Sequence, residues 1–426
     1  MTNNRSARLC LLLVILVNVA YFRGFEVFAG VTSSYLIVLW TGLAALLLVL
    51  YAIRTGSLPL VRRWWLWVGM FGWCILSFGV NALARPVPTL AIQFVAELSL
   101  SFLLAATYAL LLDEALLERF YRWFLGVAAV ASLFLTVWPV FAGFEQVRRV
   151  GGYRISGAVN NISSMIGVGV VLVVASLICA EDPRTKWFEL GVLPILLAGL
   201  LLTGSRAAMI GVGASLVLAA FISDFEFSSL ISVVGGGFAV VFVILSELYD
   251  LSGLYRFRAS EILGAVNTRL SVYVKATRHS GTEPFDLLFG GGMYRYREIS
   301  GPPFDTIPYP HNTVVSLLVH VGLPVAILFS LLWILNARDL FSLSLRSRDE
   351  LDFVVVGTLL SLIVVSMYAF TSGRVTRVFS VWMFLGISEY VTVSRSPNAP
   401  VRRRLQTLWS VVETKQSETT PERRDR

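Results

Sequence analysis

His311 and Asn312 stand together in "IPYPHNTVVSLLVHVGLP" (Ile307 to Pro324), where a proline-punctuated polar segment gives way to an apolar run. A neutral imidazole, with an ordinary pKa of about 6.5, is suited to taking a proton from a hydroxyl. Arg206 interrupts another apolar stretch, "LLTGSRAAMIGV" (Leu201 to Val212). A charge at that depth has a functional reading by default, and the planar guanidinium donates paired hydrogen bonds to phosphate. Gly204 and Ser205 ahead of it suit a turn and an N-cap, and the backbone N–H groups opening the next helix favour an anion. A third basic element is "NTRLSVYVKATRHS" (Asn267 to Ser280), read as a short amphipathic helix with Arg269, Tyr273 and Ala276 on one face.

The other histidines read differently. His320 lies nine residues beyond His311, which at about 100° per residue is the opposite helix face, and about 13 Å deeper. It is expected to be a packed or hydrogen-bonded core histidine, and His279 a loop residue. No pair or triplet of His, Asp and Glu has metal-ligand spacing, so neither a metal nor another cofactor is expected. The glycines of "FGGGMYRYREISGPP" (Phe289 to Pro303) suggest a binding loop, but they follow no strand and precede no Lys-Ser/Thr, which excludes a P-loop. Cys10, Cys74 and Cys179 all fall in or beside apolar runs, where no disulfide framework is expected.

The elements that must position these residues are membrane spans. Of 426 residues 56% are hydrophobic and 15% charged, against about 25% charged in a soluble domain. The mean hydropathy is +0.74. Apolar runs of about 16–25 residues recur, the length that crosses a hydrocarbon core. Outer-membrane barrel patterning is absent. The fold class is all-α: one polytopic bundle of about twelve transmembrane helices, at 9–22, 32–53, 64–84, 90–112, 120–142, 157–180, 188–203, 206–223, 229–248, 311–336, 352–371 and 375–394. The basic start before the first run is read as leading into an uncleaved span. Residues 1–394 form the bundle, with one large outer loop over 249–310 that is too long to lack structure of its own. Residues 395–426 form a basic tail, mostly disordered, in which "RRRLQTLWSVV" reads as a membrane-surface helix.

Charge sets the orientation. Arg5 and Arg8, then Arg54, Arg62 and Arg63, then Arg338, Arg346 and Arg348, then the "VRRRL" run from Val401 all fall on one side, which the positive-inside rule makes cytoplasmic together with both termini. Arg148, Arg149, Arg154, Arg206, Arg374, Arg377 and the basic residues of the large loop land on the outer side. That placement opposes the rule and calls for an anionic partner at the outer leaflet. The alternative is solvated loop charge paired with Glu283, Asp286, Glu298 and Asp305.

"PHNTVVSLLVHVGLP" resembles the signature of the bacterial O-antigen ligase and O-antigen polymerase superfamily, a His-Asn pair after a large periplasmic loop, then nine residues and a glycine, here His311, Asn312 and Gly322. "LLTGSRAAMIGV" is similar to its Ser-Arg element, "RLSVYVKA" (Arg269 to Ala276) to the arginine-led loop helix, and "RISGAVNNISSMIGVGV" (Arg154 to Val170) to its Arg-x-x-Gly element. The resemblance covers about residues 150–335. It implies a metal-independent, inverting glycosyltransferase of the bacterial cytoplasmic membrane. The implied donor is an undecaprenyl-pyrophosphate-linked glycan and the acceptor another glycan or lipid A-core, with no nucleic acid involved. His311 would then be the catalytic base, Arg206, Arg269 and Arg154 would hold pyrophosphate, and Asn312, Ser205 and Tyr273 would support them. Ligase and polymerase stay open. A lipid-linked oligosaccharide flippase would need a central cavity and pseudo-symmetric halves, and no internal repeat is visible. A cell-wall polymerase would use an outer carboxylate, for which Asp286, Glu298 and Asp305 are available.

Overall fold

The computed structural model describes residues 46, 63–84, 98–99, 101–109, 112–142, 156–179, 182–223, 227–248, 259–292, 310, 312–346, 351–371 and 379–395. The expected spans at 9–22 and, apart from Leu46, 32–53, the tail after Arg395, and both His311 and Arg154 lie outside these residues. Among the described residues the chain is helical without strands. Its helices are α1 (Trp64–Ala84), α2 (Glu114–Ala142), α3 (Ser156–Cys179), α4 (Pro183–Thr203), α5 (Arg206–Ile222) and α6 (Phe227–Leu248). They continue with α7 (Ala259–Thr282), α8 (Pro284–Phe289), α9 (Thr313–Val321), α10 (Leu323–Arg346), α11 (Phe353–Thr371) and α12 (Phe379–Ser394). Residues 101–109 are helical as well.

Six of the described helices, α1, α2, α3, α4, α10 and α11, contain segments long and apolar enough to cross a membrane. Large apolar side chains stay exposed on their outer faces, among them Val68 and Ile75 on α1, Val130 and Phe134 on α2, and Ile327 and Ile334 on α10. An apolar surface of that extent is costly in water and favourable in lipid. The chain is a multi-pass membrane protein.

Local chemistry sets the helix ends. Asp182 caps α4 by accepting from the N–H groups of Arg184 and Thr185, both at 3.2 Å. The cap holds the exposed Asp182 carboxyl below its ordinary pKa, chiefly through the Arg184 N–H. Gly204 (φ 60°) ends α4 in the left-handed region and donates its N–H to the Leu201 carbonyl, so the apolar run from 188 to 221 does turn at "TGSR".

The single helix expected over 311–336 is a correction. It breaks at Gly322 into α9 and α10, and α10 continues to Arg346. Gly322 has φ 107°, and a Cβ there would lie 2.0 Å from the Leu288 carbonyl oxygen. Pro324, lacking an N–H, fits the first turn of the new helix.

α11 is central, and α5 runs antiparallel against it. Ser215 Oγ donates to the Leu360 carbonyl at 3.0 Å. A Cβ on Gly211 would approach Val364 Cα to 2.9 Å, so the absent side chain permits the close crossing. Continuing that register toward the start of α5 brings Arg206 beside Ala369, at the C-terminal end of α11.

The opposite end of the bundle is held by ions. Arg63 was expected to be a loop charge, yet it is 6% exposed. It donates to Asn336 Oδ1 and Glu389 Oε1, each at 2.9 Å, and pairs with Asp339, joining α1, α10 and α12. Asn336 also donates to Glu389 Oε1 at 3.0 Å. Nearby in the chain order, Arg395 bridges Glu114 and Asp352, both at 2.7 Å, tying the end of α12 to the starts of α2 and α11.

Candidate functional site

The last turn of α11 leaves backbone carbonyls that no helical N–H can reach. Three side chains from the large loop and the helix after it take them. Tyr273 on α7 donates its hydroxyl to the Phe370 carbonyl at 3.3 Å. Asn312 donates Nδ2 to the same oxygen at 3.0 Å. Thr313 donates Oγ1 to the Ala369 carbonyl at 3.1 Å. Asn312 has a second task as the N-cap of α9, with Oδ1 accepting from the Val315 N–H at 3.0 Å.

α7 reaches this point because its buried face is apolar. Val272 and Ala276 pack on Val319 of α9, with Tyr273 and Val315 beside them. The face expected to hold Arg269, Tyr273 and Ala276 together is the one turned to the bundle, while Leu270, Val274, Lys275 and Arg278 are exposed. The helix is longer than "NTRLSVYVKATRHS", since it begins at Ala259. His279 belongs to it rather than to a loop.

Arg206 and Arg269 thereby converge, although 62 residues separate them in the chain. Arg269 is half-buried, and its pKa falls below the ordinary guanidinium range. Burial is the main cause, Tyr273 acts against the shift, and the positive charge of Arg206 adds to it. The Tyr273 phenol moves up, chiefly through burial, with Arg269 and the hydrogen bond to Asn312 opposing. Ser205 occupies the N-cap position of α5 with extended backbone, but its side chain caps nothing. Its hydroxyl is buried and has no hydrogen-bond partner among the described residues. Two mutually repelling cations, a helix N-terminus and an uncommitted hydroxyl make a place where an anion lowers the energy.

Residues 191–330, from α4 to α10, match the family model described as O-antigen ligase. That stretch is similar to O-antigen ligase domains. No curated protein matches the chain. The matched stretch contains Ser205, Arg206, Arg269, Tyr273, His311 and Asn312.

Within the matched stretch the first glycines of "FGGG" have a packing role, while the rest of the segment expected to be a binding loop, residues 293–303, lies outside the described residues. A Cβ on Gly290 (φ 70°) would lie 2.4 Å from the His320 carbonyl carbon, and Gly291 donates its N–H to the Val319 carbonyl at 2.8 Å. His320 is buried, with Nδ1 3.3 Å from the Gly292 carbonyl oxygen, so it is the packed core histidine expected. Asp286, held in reserve as a carboxylate base, is 4% exposed on α8; Glu298 and Asp305 lie outside the described residues.

Sequence reasoning missed Ser77 and Asn81 on α1, which bind the loop's return leg. Their spacing of four in an otherwise apolar helix was the available signal. It also missed the acceptor at the centre of the site, because a backbone carbonyl has no sequence signature.

Proposed function

We propose that the protein transfers a glycan from an undecaprenyl-pyrophosphate donor to an acceptor sugar hydroxyl at the outer face of the bacterial cytoplasmic membrane, with inversion and without a metal. The observation that carries this reading is the convergence of Arg206 and Arg269 at the start of α5, beside the buried Ser205 hydroxyl. The acceptor oxygen attacks the anomeric carbon, and the bond from that carbon to the pyrophosphate oxygen breaks. The leaving pyrophosphate keeps the bonding electrons, and the guanidinium groups of Arg206 and Arg269, with Arg154, offset the charge that develops. The acceptor proton goes to His311, the neighbour of Asn312, whose side chain is fixed at the end of α11. Tyr273 and Asn312 hold the loop helix and the His311 segment to one framework. The isoprenoid tail lies between spans, which requires the site to sit at the bilayer edge.

The sidedness of this reading rests on charge. Arg63, Arg338, Arg346 and Arg395 cluster toward the end of the bundle remote from Arg206, and the positive-inside rule makes that end cytoplasmic. A polymerase joining lipid-linked repeat units would use the same chemistry with a different acceptor. Cells carrying His311→Ala, matched for protein level, separate the cases through their lipid-linked glycan pool. Long chains accumulating on the lipid indicate a ligase, and single repeat units a polymerase. An unchanged pool with normal surface polysaccharide removes His311 from the reaction and brings the flippase reading forward.

A further inference from the structure

The loop that carries Arg269 and Tyr273 returns to the bundle at Leu288 to Gly292. The surface that receives it belongs to α1, outside the matched residues 191–330. Ser77 Oγ donates to the Phe289 carbonyl at 2.6 Å, and Asn81 Nδ2 donates to the same oxygen at 2.9 Å. Trp73 Nε1 donates to the Leu288 carbonyl at 3.1 Å, and its ring stacks on Phe289 with centroids 5.5 Å apart and 4° between planes. Asn81 also donates to the Ser77 carbonyl at 2.9 Å, which orients its amide. The carbonyls that α8 leaves open at its C-terminal end are therefore taken by a helix about 200 residues earlier in the chain. On its other side the same segment is locked to α9 through Gly290, Gly291 and Gly322, where no side chain fits between the backbones.

We propose that Ser77 and Asn81 are positioning residues for the transfer reaction, pinning the return leg of the loop so that α7 presents Arg269 to Arg206. The inference rests on the reading of Arg269 as a pyrophosphate ligand. The mechanical path is short. α7 is a continuous helix to Thr282, α8 begins two residues later, and α8 ends at the pinned carbonyls. α7 in turn packs on α9 through Val272, Ala276 and Val319. A slip at Phe289 has no flexible linker in which to dissipate, so it reaches Arg269. Misplacement of a binding group by about 1 Å is enough to cost large factors in rate.

The test is the binding of undecaprenyl pyrophosphate, without its glycan, to the full-length protein in lipid nanodiscs. Asn81→Ala, Arg269→Ala and the double variant are compared at equal protein level. Asn81→Ala is expected to weaken binding about three- to tenfold, the weight of one or two hydrogen bonds. Arg269→Ala is expected to weaken it further, and the double variant to bind no worse than Arg269→Ala alone. Losses that multiply in the double variant, or wild-type binding by Asn81→Ala, overturn the inference while leaving the Arg269 reading intact. Wild-type binding by Arg269→Ala overturns that reading and this inference with it. A second variant keeps the question open to disproof if Asn81→Ala accumulates poorly. Ser77→Ala removes the other donor to the Phe289 carbonyl from within a regular helix. It is expected to weaken binding to a similar degree, and again with no further loss when combined with Arg269→Ala. Wild-type binding by Ser77→Ala overturns the anchor.

Discussion

The hydroxyl of Tyr273 and the side-chain amide of Asn312 donate to one acceptor, the carbonyl oxygen of Phe370, at 3.3 and 3.0 Å. One residue comes from the large loop, the other from the mouth of the helix after it, and the acceptor closes the central helix of the bundle. This shared oxygen is the point at which three distant stretches of chain become one site.

The two arginines carry the largest predicted effect. Arg206→Ala and Arg269→Ala should each lower the rate of glycan transfer by roughly 10²-fold, the usual loss when one donor to a developing negative charge is removed. Initial rates with a lipid-pyrophosphate-linked donor measure this, with membrane levels unchanged. Normal turnover in both variants would end the pyrophosphate reading.

The pH profile separates His311 from Tyr273. A base at His311 must be neutral, so the rate should rise with pH through about 6.5. The Tyr273 phenol is raised above its ordinary value, mainly by burial. A raised folded-state pKa means that its hydrogen bond to Phe370 is complete below about pH 10, the ordinary phenol value, and is lost only as pH climbs through the elevated one. Tyr273→Phe should therefore lower the rate by one constant factor between about pH 6 and 9. A wild-type alkaline limb in that window that Tyr273→Phe abolishes would contradict this.

Asn312 both caps α9 and holds Phe370. Asn312→Ala should destabilise the protein by about 1 kcal/mol for the cap alone, and thermal unfolding in detergent reads it. Asn312→Asp keeps an acceptor for the Val315 N–H but loses the donor to Phe370. It should therefore recover stability without recovering transfer.

Gly322→Ala should be among the most damaging single substitutions. The backbone is at φ 107°, and the new Cβ would meet the Leu288 carbonyl at 2.0 Å. Positive-φ strain alone costs about 1–3 kcal/mol, and displacement of the loop base adds to it. Gly213→Ala is the control, since it lies within α5 with nothing within 4 Å of a new Cβ. Protein yield and melting temperature should fall for the first and hold for the second.

Arg63 tests the remote end. Removing one partner of a buried ion pair costs about 3–5 kcal/mol because the other charge stays buried. Arg63→Ala, which leaves the buried Glu389 carboxylate without its cation, should lower the melting temperature strongly. Transfer per folded molecule should change little, because the network lies at the end of the bundle away from Arg206.

Much of this architecture is written in the chain itself. Long apolar runs must be helical in lipid, because only a helix satisfies its own backbone groups there. Gly204 and Ser205 mark the turn before Arg206 for equally local reasons, a left-handed glycine followed by an extended residue. The periodicity of "RLSVYVKA" likewise set Arg269 and Tyr273 on one helical face before any contact was known. The tertiary structure decided what these local signals cannot express. Arg63 looked like any loop arginine until α10 and α12 supplied Asn336, Asp339 and Glu389 around it. Gly290 and Gly322 looked like loop and span glycines until two backbones met between them. Ser77 and Asn81 looked incidental until Phe289 arrived from another part of the chain. In each case the deciding partner is a backbone atom or a charge contributed from far along the sequence. Such partners leave no trace in local composition, since only packing determines which ones meet.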